Sequence, residues 1–400
     1  MPSFKYKAMN ENGERLQGTY TADSKDEVME MISANNYYPL LVEEINQGTT
    51  INLQMFDRVK IKDIAVFCRQ FYTMLDAGVS INSSLNILAR QLPNKKLRET
   101  LSKVEDNVKK GETLSESMKL QGKVFPDLLI SMVETGEMSG NLDSVMLRMS
   151  THFEKENKIN NKVKSAMIYP TVLSVMAVSV VTILLTFVMP TFVDMFTQSG
   201  VQLPLPTKIL LGISTGINNH WLIILIILAL AILGLRYYFK SDSGTLFVSK
   251  FKLTFPIIKG LNQKIIVSRF TRTLSTMLSS GVSLVQALET VSNVVGNKIA
   301  ENKLLQIREE LVKGEGLSKP IEEAGIFPPM LASMIKIGEE SGSLDDILNK
   351  TADFYDEEVE TTIQTTTALL EPLLIVIMGV VVGFIVISIM LPMFTMYQNM

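Results

Sequence analysis

The chain is poor in the residues that build disulfides and metal sites. Cys68 is its one cysteine, which leaves no internal disulfide, and His152 and His220 are its only histidines, too few for a Cys/His zinc set. Charge is missing from long stretches: positions 165–235 and 372–400 carry only Asp194 and Lys208 of the 79 formal charges in the chain. Charge-free stretches of this length do not fit the core of one small soluble domain. A net charge of −3 gives no overall basic footprint for nucleic acid. The start, Met1-Pro2-Ser3-Phe4-Lys5-Tyr6-Lys7, lacks the apolar run of a cleavable secretion signal, so it is expected to stay in the cytoplasm.

What is there instead is a set of apolar windows. A helix crossing about 30 Å of hydrocarbon needs about 20 mostly apolar residues, and three windows meet that length: 167–192, 221–239 and 371–395. Arg236 interrupts the second, where it can snorkel to the headgroups beside Tyr237 and Tyr238. Lys155, Lys158, Lys162 and Lys164 precede the first window, Lys208 stands alone after it, and Arg236, Lys240, Lys250 and Lys252 follow the second. Positive charge marks the cytoplasmic side, so 193–220 is expected as an extracytoplasmic loop and 396–400 as an extracytoplasmic tail. The blocks 51–166 and 240–370 then face the cytoplasm.

Those two blocks are copies. Phe67–Leu88 aligns with Phe270–Val291 at an offset of 203, sharing Thr-Met-Leu at 73–75 and 276–278 and Gly-Val-Ser at 78–80 and 281–283. After a one-residue slip, Ser131–Asp143 and Ser333–Asp345 agree at eight of thirteen positions. The match continues into the membrane, Tyr169-Pro170 against Glu371-Pro372 and Met189-Pro190 against Leu391-Pro392. Each repeat is therefore a helical block followed by its own span, and the middle window, which matches neither copy, returns the chain between them. The first copy predicts helices over 62–77, 81–91, 94–110, 113–120, 126–135 and from 142 onward, with a loop at 136–140. The second repeats them around Gly281, Gly296, Gly314, Pro328 and a loop at 338–342. Asn141 and Ser343 stand as N-caps of the last helix, Asp346 completing a box with Ser343, and that helix is expected to run into the membrane with little break.

Residues 1–50 read as a small α/β module. Phe4, Tyr6 and Ala8 alternate with Lys5 and Lys7, Asn12-Gly13 is a hairpin turn, Arg15–Tyr20 is its return strand, Ser24-x-x-Glu27 opens a helix, and Pro39–Glu44 closes the sheet. The polar stretch 46–54 is the linker.

Two strings imitate catalytic signatures and fail. Gly13-x4-Gly18 is followed by Thr19-Tyr20, without the lysine a phosphate loop needs. Gly212-x-Ser214-x-Gly216 has the spacing of a nucleophile elbow but no preceding strand and no carboxylate in the right chain order. The twin strings Gly136-Glu137-Met138-Ser139-Gly140 and Gly338-Glu339-Glu340-Ser341-Gly342 admit two readings, a helix end and turn, or exposed glutamates that dock a partner. Arg69 and Arg272, in the first helix of each repeat, are candidate interaction residues or partners in an intradomain salt bridge, with those glutamates in view. In the membrane, Gly379-x3-Gly383 lets another helix approach, either one of the chain's own spans or a second copy. Glu371 marks either an interfacial helix start or a polar contact to a partner. Tyr169, Pro170 and Pro372 complete the set of candidate membrane-packing residues. No cofactor or metal site is indicated, and a polar path for transport is missing from the spans.

Together, the module ending in Tyr38-Pro39-Leu40, the duplicated Leu-x-x-Gly-Val-Ser at 75–80 and 278–283, the duplicated Gly-Glu-x-Ser-Gly-x-Leu strings, the Tyr169-Pro170 and Glu371-Pro372 span starts and the three-span layout resemble the type II secretion protein F family, the platform proteins of type II secretion and type IV pilus machines. The resemblance implies a mainly α, polytopic protein of the bacterial inner membrane, with two six-helix cytoplasmic bundles, three transmembrane helices and the N-terminal α/β module. It implies a non-enzymatic role, coupling a hexameric assembly ATPase, with a retraction ATPase as a further candidate, to the lifting of pilins or pseudopilins into a filament. It also implies contacts with other inner-membrane components and a homo-oligomer, a dimer being favoured. The alternative is a permease subunit that docks a cytoplasmic ATP-binding partner, which the charge-free spans do not favour.

Overall fold

The computed structural model describes residues 3–10, 15–35, 37–44, 58–192 and 204–398. The chain forms two compact units, Met1–Arg58 and Val59–Met400.

In the first unit, β1 (Ser3–Met9), β2 (Arg15–Thr21) and β3 (Tyr38–Glu44) form an antiparallel sheet in the order β2-β1-β3, with α1 (Lys25–Ala34) between β2 and β3 in sequence. The period-two alternation places Phe4 and Ala8 in a core with Ala22, Val28, Ile32 and Val42, while Lys5 and Lys7 are exposed. The Ser24 hydroxyl accepts the Glu27 N–H, and the Glu27 carboxylate reaches back to the Asp23 N–H, one residue earlier than a standard capping box. The expected Asn12-Gly13 turn and the linker lie outside the described residues.

The second unit holds both repeats. The first is α2 (Ile61–Asp76), α3 (Ile81–Gln91), α4 (Lys95–Lys109), α5 (Leu114–Lys119), α6 (Asp127–Ser139) and α7 (Leu142–Ala166), which continues as α8 (Ile168–Ile183). After α9 (Leu205–Tyr238) and α10 (Asp242–Thr254), the second repeat runs through α11 (Pro256–Leu278), α12 (Leu284–Val294), α13 (Lys298–Val312), α14 (Ser318–Glu323), α15 (Pro329–Ser341) and α16 (Leu344–Gln398). In each copy the first and last helices pack together, α2 on α7 and α11 on α16. The cores repeat as well: Phe67 meets Phe125 with ring centroids 6.0 Å apart, and their counterparts Phe270 and Phe327 are 5.6 Å apart. One contiguous apolar cluster runs through both repeats, so the two bundles form a single body.

Three helical stretches are long and apolar enough to cross a membrane: Leu142–Phe192, Leu205–Tyr238 and Leu344–Phe394. The protein is thus a mainly helical, polytopic membrane protein with a duplicated bundle. The two stems differ. Pro170 cannot donate to the carbonyl of Ala166 and its ring crowds it, and α7 ends at Ala166, with Met167 between it and α8. The equivalent Pro372 lies inside α16, which runs unbroken for 55 residues.

Two expectations need correction. Residues 193–220 are not all loop: α9 begins at Leu205, and its first half is helical because Leu210 packs on Leu185, Met189 and Ile385 of the other two spans. The second membrane helix therefore covers Leu205–Tyr238, bent where His220 leaves helical geometry, and not only 221–239.

Candidate functional site

The twin Gly-Glu-x-Ser-Gly strings are helix ends, not loops. α6 and α15 run to Ser139 and Ser341, and Gly140 and Gly342 follow with φ of 72° and 67°, a left-handed conformation open to glycine at little cost. A Cβ at Gly136 would lie 3.2 Å from the Leu142 backbone, and one at Gly338 would lie 2.9 Å from that of Leu344. The first glycine of each string thus lets one helix press onto the next. The hydroxyls of Ser139 and Ser341 turn back to the carbonyls of Gly136 and Gly338.

The reading of Glu137 and Glu339 as an exposed docking pair is corrected by their partners. Both are half-buried. Glu137 accepts the N–H of Leu114 at 2.5 Å and of Ser115 at 2.9 Å, plus the Ser115 hydroxyl at 2.6 Å. Glu339 accepts the N–H of Leu317 at 2.5 Å and of Ser318 at 3.2 Å. Each carboxylate caps the start of the short helix α5 or α14, where unpaired N–H groups and the positive end of the helix dipole favour an anion. Met138, 86% exposed, and Glu340 point outward, beside the exposed Ser139, Gly140, Ser341 and Gly342.

The arginines form intradomain salt bridges, but their acids come from the last helix of the repeat and not from the glycine-rich strings. Arg69 grips Glu154 with two bonds of 3.0 and 2.9 Å, at a pair of half-exposed side chains. Arg272 is buried and binds Asn349 at 2.9 Å, Asp353 at 2.6 Å and Asp356 at 2.7 Å. Glu154 and Asp356 are equivalent positions, so the pairing is duplicated, with Asn349 and Asp353 added in the second copy.

Asp353 also faces the other repeat. Lys155 of α7 reaches it at 2.6 Å, Lys162 pairs with Glu360, and Tyr169 donates to Glu371 at 3.1 Å. Positions 155, 162 and 169 are two heptads on one helical face, so the stems lie side by side along a polar seam. Arg148 adds a 2.5 Å bond to Ser279, and Arg269 lies 3.9 Å from Glu156 and 3.4 Å from Asn160. Burial opposes ionisation of Asp353, but hydrogen bonds from Lys155 and Arg272 outweigh it and hold the carboxyl below its usual range. The Lys162 hydrogen bond does the same for Glu360. His152 is buried at this junction; desolvation, helped by Arg272 and Arg269, lowers its pKa to about 4 and keeps it neutral.

Of the seam residues, the sequence singles out Tyr169 and Glu371 but not Lys155, Lys162, Asp353 or Glu360; Lys155 and Lys162 enter the sequence analysis for membrane orientation alone. The heptad spacing of 155, 162 and 169 was the available signal.

Within the membrane, a five-residue π turn at Leu184–Val188 precedes Pro190, which has no N–H to offer. The Leu185 carbonyl in that turn accepts the Ser214 hydroxyl at 2.5 Å, and the Thr207 hydroxyl donates to Ser388 at 2.5 Å. These two bonds and the Leu185, Met189, Leu210 and Ile385 cluster tie the three spans together. The chain's own spans do not cover Gly379 and Gly383: nothing among the described residues lies within 4 Å of a Cβ at either. The own-span reading of that motif is corrected accordingly. Among the described residues no cluster of His, Cys, Asp and Glu could hold a metal ion. Burial pushes the Cys68 thiol far above its usual range, so it is no nucleophile.

Comparison with known proteins gives these features a family. The model of the type II secretion system (T2SS), protein F family matches residues 67–190 and 270–392, each a bundle with its own span, and leaves α9 unmatched. The model of that protein's N-terminal domain matches residues 1–43. Similar relatives include the type IV pilus assembly protein PilC of Thermus thermophilus, 35% identical over 398 residues and 98% of both chains. The type IV pilus assembly protein TapC of Aeromonas hydrophila is 35% identical over 393 residues, 98% of this chain and 95% of that one. The type II secretion system protein F of Vibrio cholerae is 32% identical over 404 residues and the whole of both chains. With both repeats and the N-terminal module matched, the chain belongs to the type II secretion system protein F family.

Proposed function

We propose that the chain is the inner-membrane platform of a type IV pilus or type II secretion machine, and that it couples a cytoplasmic assembly ATPase to the extraction of pilins or pseudopilins. Full-length relatives carrying those names support the machine. One observation carries the coupling. α16 is a single helix of 55 residues, about 80 Å long, that holds Asp353, Asp356 and Glu360 in the bundle and then becomes the third span. A displacement applied to the bundles travels along this rod into the bilayer, and the seam to α7 and α8 shares it with the first span.

The lysine flanks of the spans support bundles in the cytoplasm, within reach of the ATPase, and a C-terminus on the far side. Met138 and Glu340, with the exposed Ser-Gly pairs 139–140 and 341–342, are open to such a partner. The uncovered face around Gly379 and Gly383 supports a homo-oligomer formed through the third span.

The test is a deletion strain complemented with Glu360→Lys, Lys162→Glu and the double variant. The deletion is expected to lose surface filaments or secretion. Purified protein is expected to bring down a hexameric ATPase through its bundles. Normal filaments and normal secretion in the deletion strain would refute the reading.

A further inference from the structure

Where the two stems meet the membrane, a cavity of about 760 Å³ lies between them. Its walls are α7 and the start of α8 on one side and α16 on the other. The depth is fixed by the sequence: the last charges on the first stem are Lys162 and Lys164, after which the span is apolar, and Glu371 is the last charge on the second. The cavity therefore sits at the level of the lipid headgroups. A volume of this size suits an organic ligand and exceeds what a bare ion fills.

The polar groups of the lining divide by whether their charge is already used. Lys162 is paired with Glu360, and Tyr169 with Glu371. Lys158 makes no ion pair among the described residues, although it adds to the field that lowers the Glu360 carboxyl, behind the larger effect of Lys162. Asn157, Asn161 and Gln364 line the same cavity as amide donors. Ala166 and Ile363 supply apolar wall. One free cation, several amides and an apolar wall suit a singly charged phosphodiester with hydrocarbon attached. The carboxylates of Glu360 and Glu371 disfavour a free phosphate dianion, which would meet both without the compensating burial of a chain.

We propose that this cavity binds the phosphodiester headgroup of a membrane glycerophospholipid, held by Lys158 and the amides of Asn157, Asn161 and Gln364, with its acyl chains in the surrounding bilayer. The bound lipid sits as a wedge between the stems and beside the Lys162–Glu360 and Tyr169–Glu371 contacts. The lining lysines and glutamates balance, so the unpaired Lys158 and the amides, and not an overall basic charge, carry the recognition. The proposal depends only on the membrane embedding and stands apart from the coupling proposed above.

The experiment uses the full chain, delipidated in detergent and titrated with phosphatidylglycerol, with bound lipid counted by native mass spectrometry. Lys158→Glu is expected to weaken retention by about tenfold, as loss of a charge-assisted contact does, and Lys158→Arg to restore it. Lys164→Glu, closer to the span than Lys158 but outside the cavity lining, is expected to retain lipid as the parent does, and excess inorganic phosphate is expected not to displace it. Unchanged retention in Lys158→Glu, with that variant still folded by its thermal transition, overturns the proposal. So does an equal loss in Lys164→Glu, which would indicate general surface attraction, or displacement by inorganic phosphate, which would indicate a free-anion site.

Discussion

Tyr169 and Glu371 occupy equivalent positions of the two repeats, and the Tyr169 hydroxyl donates to Glu371 at 3.1 Å. Equivalent positions that touch place both stems at the same depth, running in the same direction. A duplicated block with its own span at each end achieves this only if a third helix carries the chain back across, and α9 does so. The contact thus ties the topology to the seam that joins the repeats.

The equivalent arginines are expected to behave differently when removed. Arg69→Ala breaks a half-exposed pair and is expected to cost about 0.2–1 kcal/mol. Arg272→Ala leaves the largely buried Asp356 without its cation, Asp353 keeping Lys155, and is expected to cost about 3–5 kcal/mol. Thermal unfolding of the purified protein checks both, and equal losses would contradict the asymmetry.

The helix-capping glutamates are expected to matter for stability. Glu137→Gln or Glu339→Gln weakens the anchor of α5 or α14, with an expected loss of about 0.5–2 kcal/mol each. Gly338→Ala forces the Leu344 backbone away and is expected to cost about 1–3 kcal/mol. Denaturant midpoints measure these effects, and a Gly338→Ala protein as stable as its parent would rule out the close approach.

Reversing charge across the seam is expected to uncouple the stems while leaving the fold intact. Lys162→Glu or Glu360→Lys alone sets like charges together at an exposed site, where little stability is at stake, and is expected to reduce filament assembly or secretion. The double reversal is expected to restore it. Failure of the double variant, with both single variants folded, would remove the seam from the mechanism.

Acid is expected to weaken the junction at His152. An unfolded histidine takes up its proton near pH 6.5, whereas the buried, folded one resists until about pH 4. The unfolded state therefore binds more protons between those values, so stability falls as pH drops through that window, by about 3 kcal/mol at most. Asp353, held low by Lys155 and Arg272, loses its own contribution toward the acid end of the range, and Glu156 faces the same junction. His152→Gln isolates the histidine: its melting temperature is expected to depend less steeply on pH between 7 and 4 than that of the parent, and parallel curves would refute the assignment.

The bundle helices could be read from apolar periodicity and from Gly and Pro punctuation because both are local. The misreadings lie where tertiary contacts decide. Residues 205–219 look like a loop, with Pro204, Pro206, Lys208, Asn218 and Asn219, yet packing of Leu210 against the other spans supports a helix there. The string at 136–140 looks like a turn because of its two glycines, although Gly136 serves a contact and only Gly140 a bend. The acids chosen by Arg69 and Arg272 lie 85 and 81–84 positions away, a distance at which one sequence offers several carboxylates and no means of choosing among them.

The break at Met167 gives the duplicated halves different duties. The first stem is jointed at the bilayer surface beside Pro170, whereas α16 passes the matching proline without interruption. Two limbs that descend from one ancestral segment thus differ where they enter the bilayer: one is interrupted for a single residue, and the other is an unbroken mast. On the coupling proposed above, movement of the bundles is expected to change the tilt of the first span relative to the third.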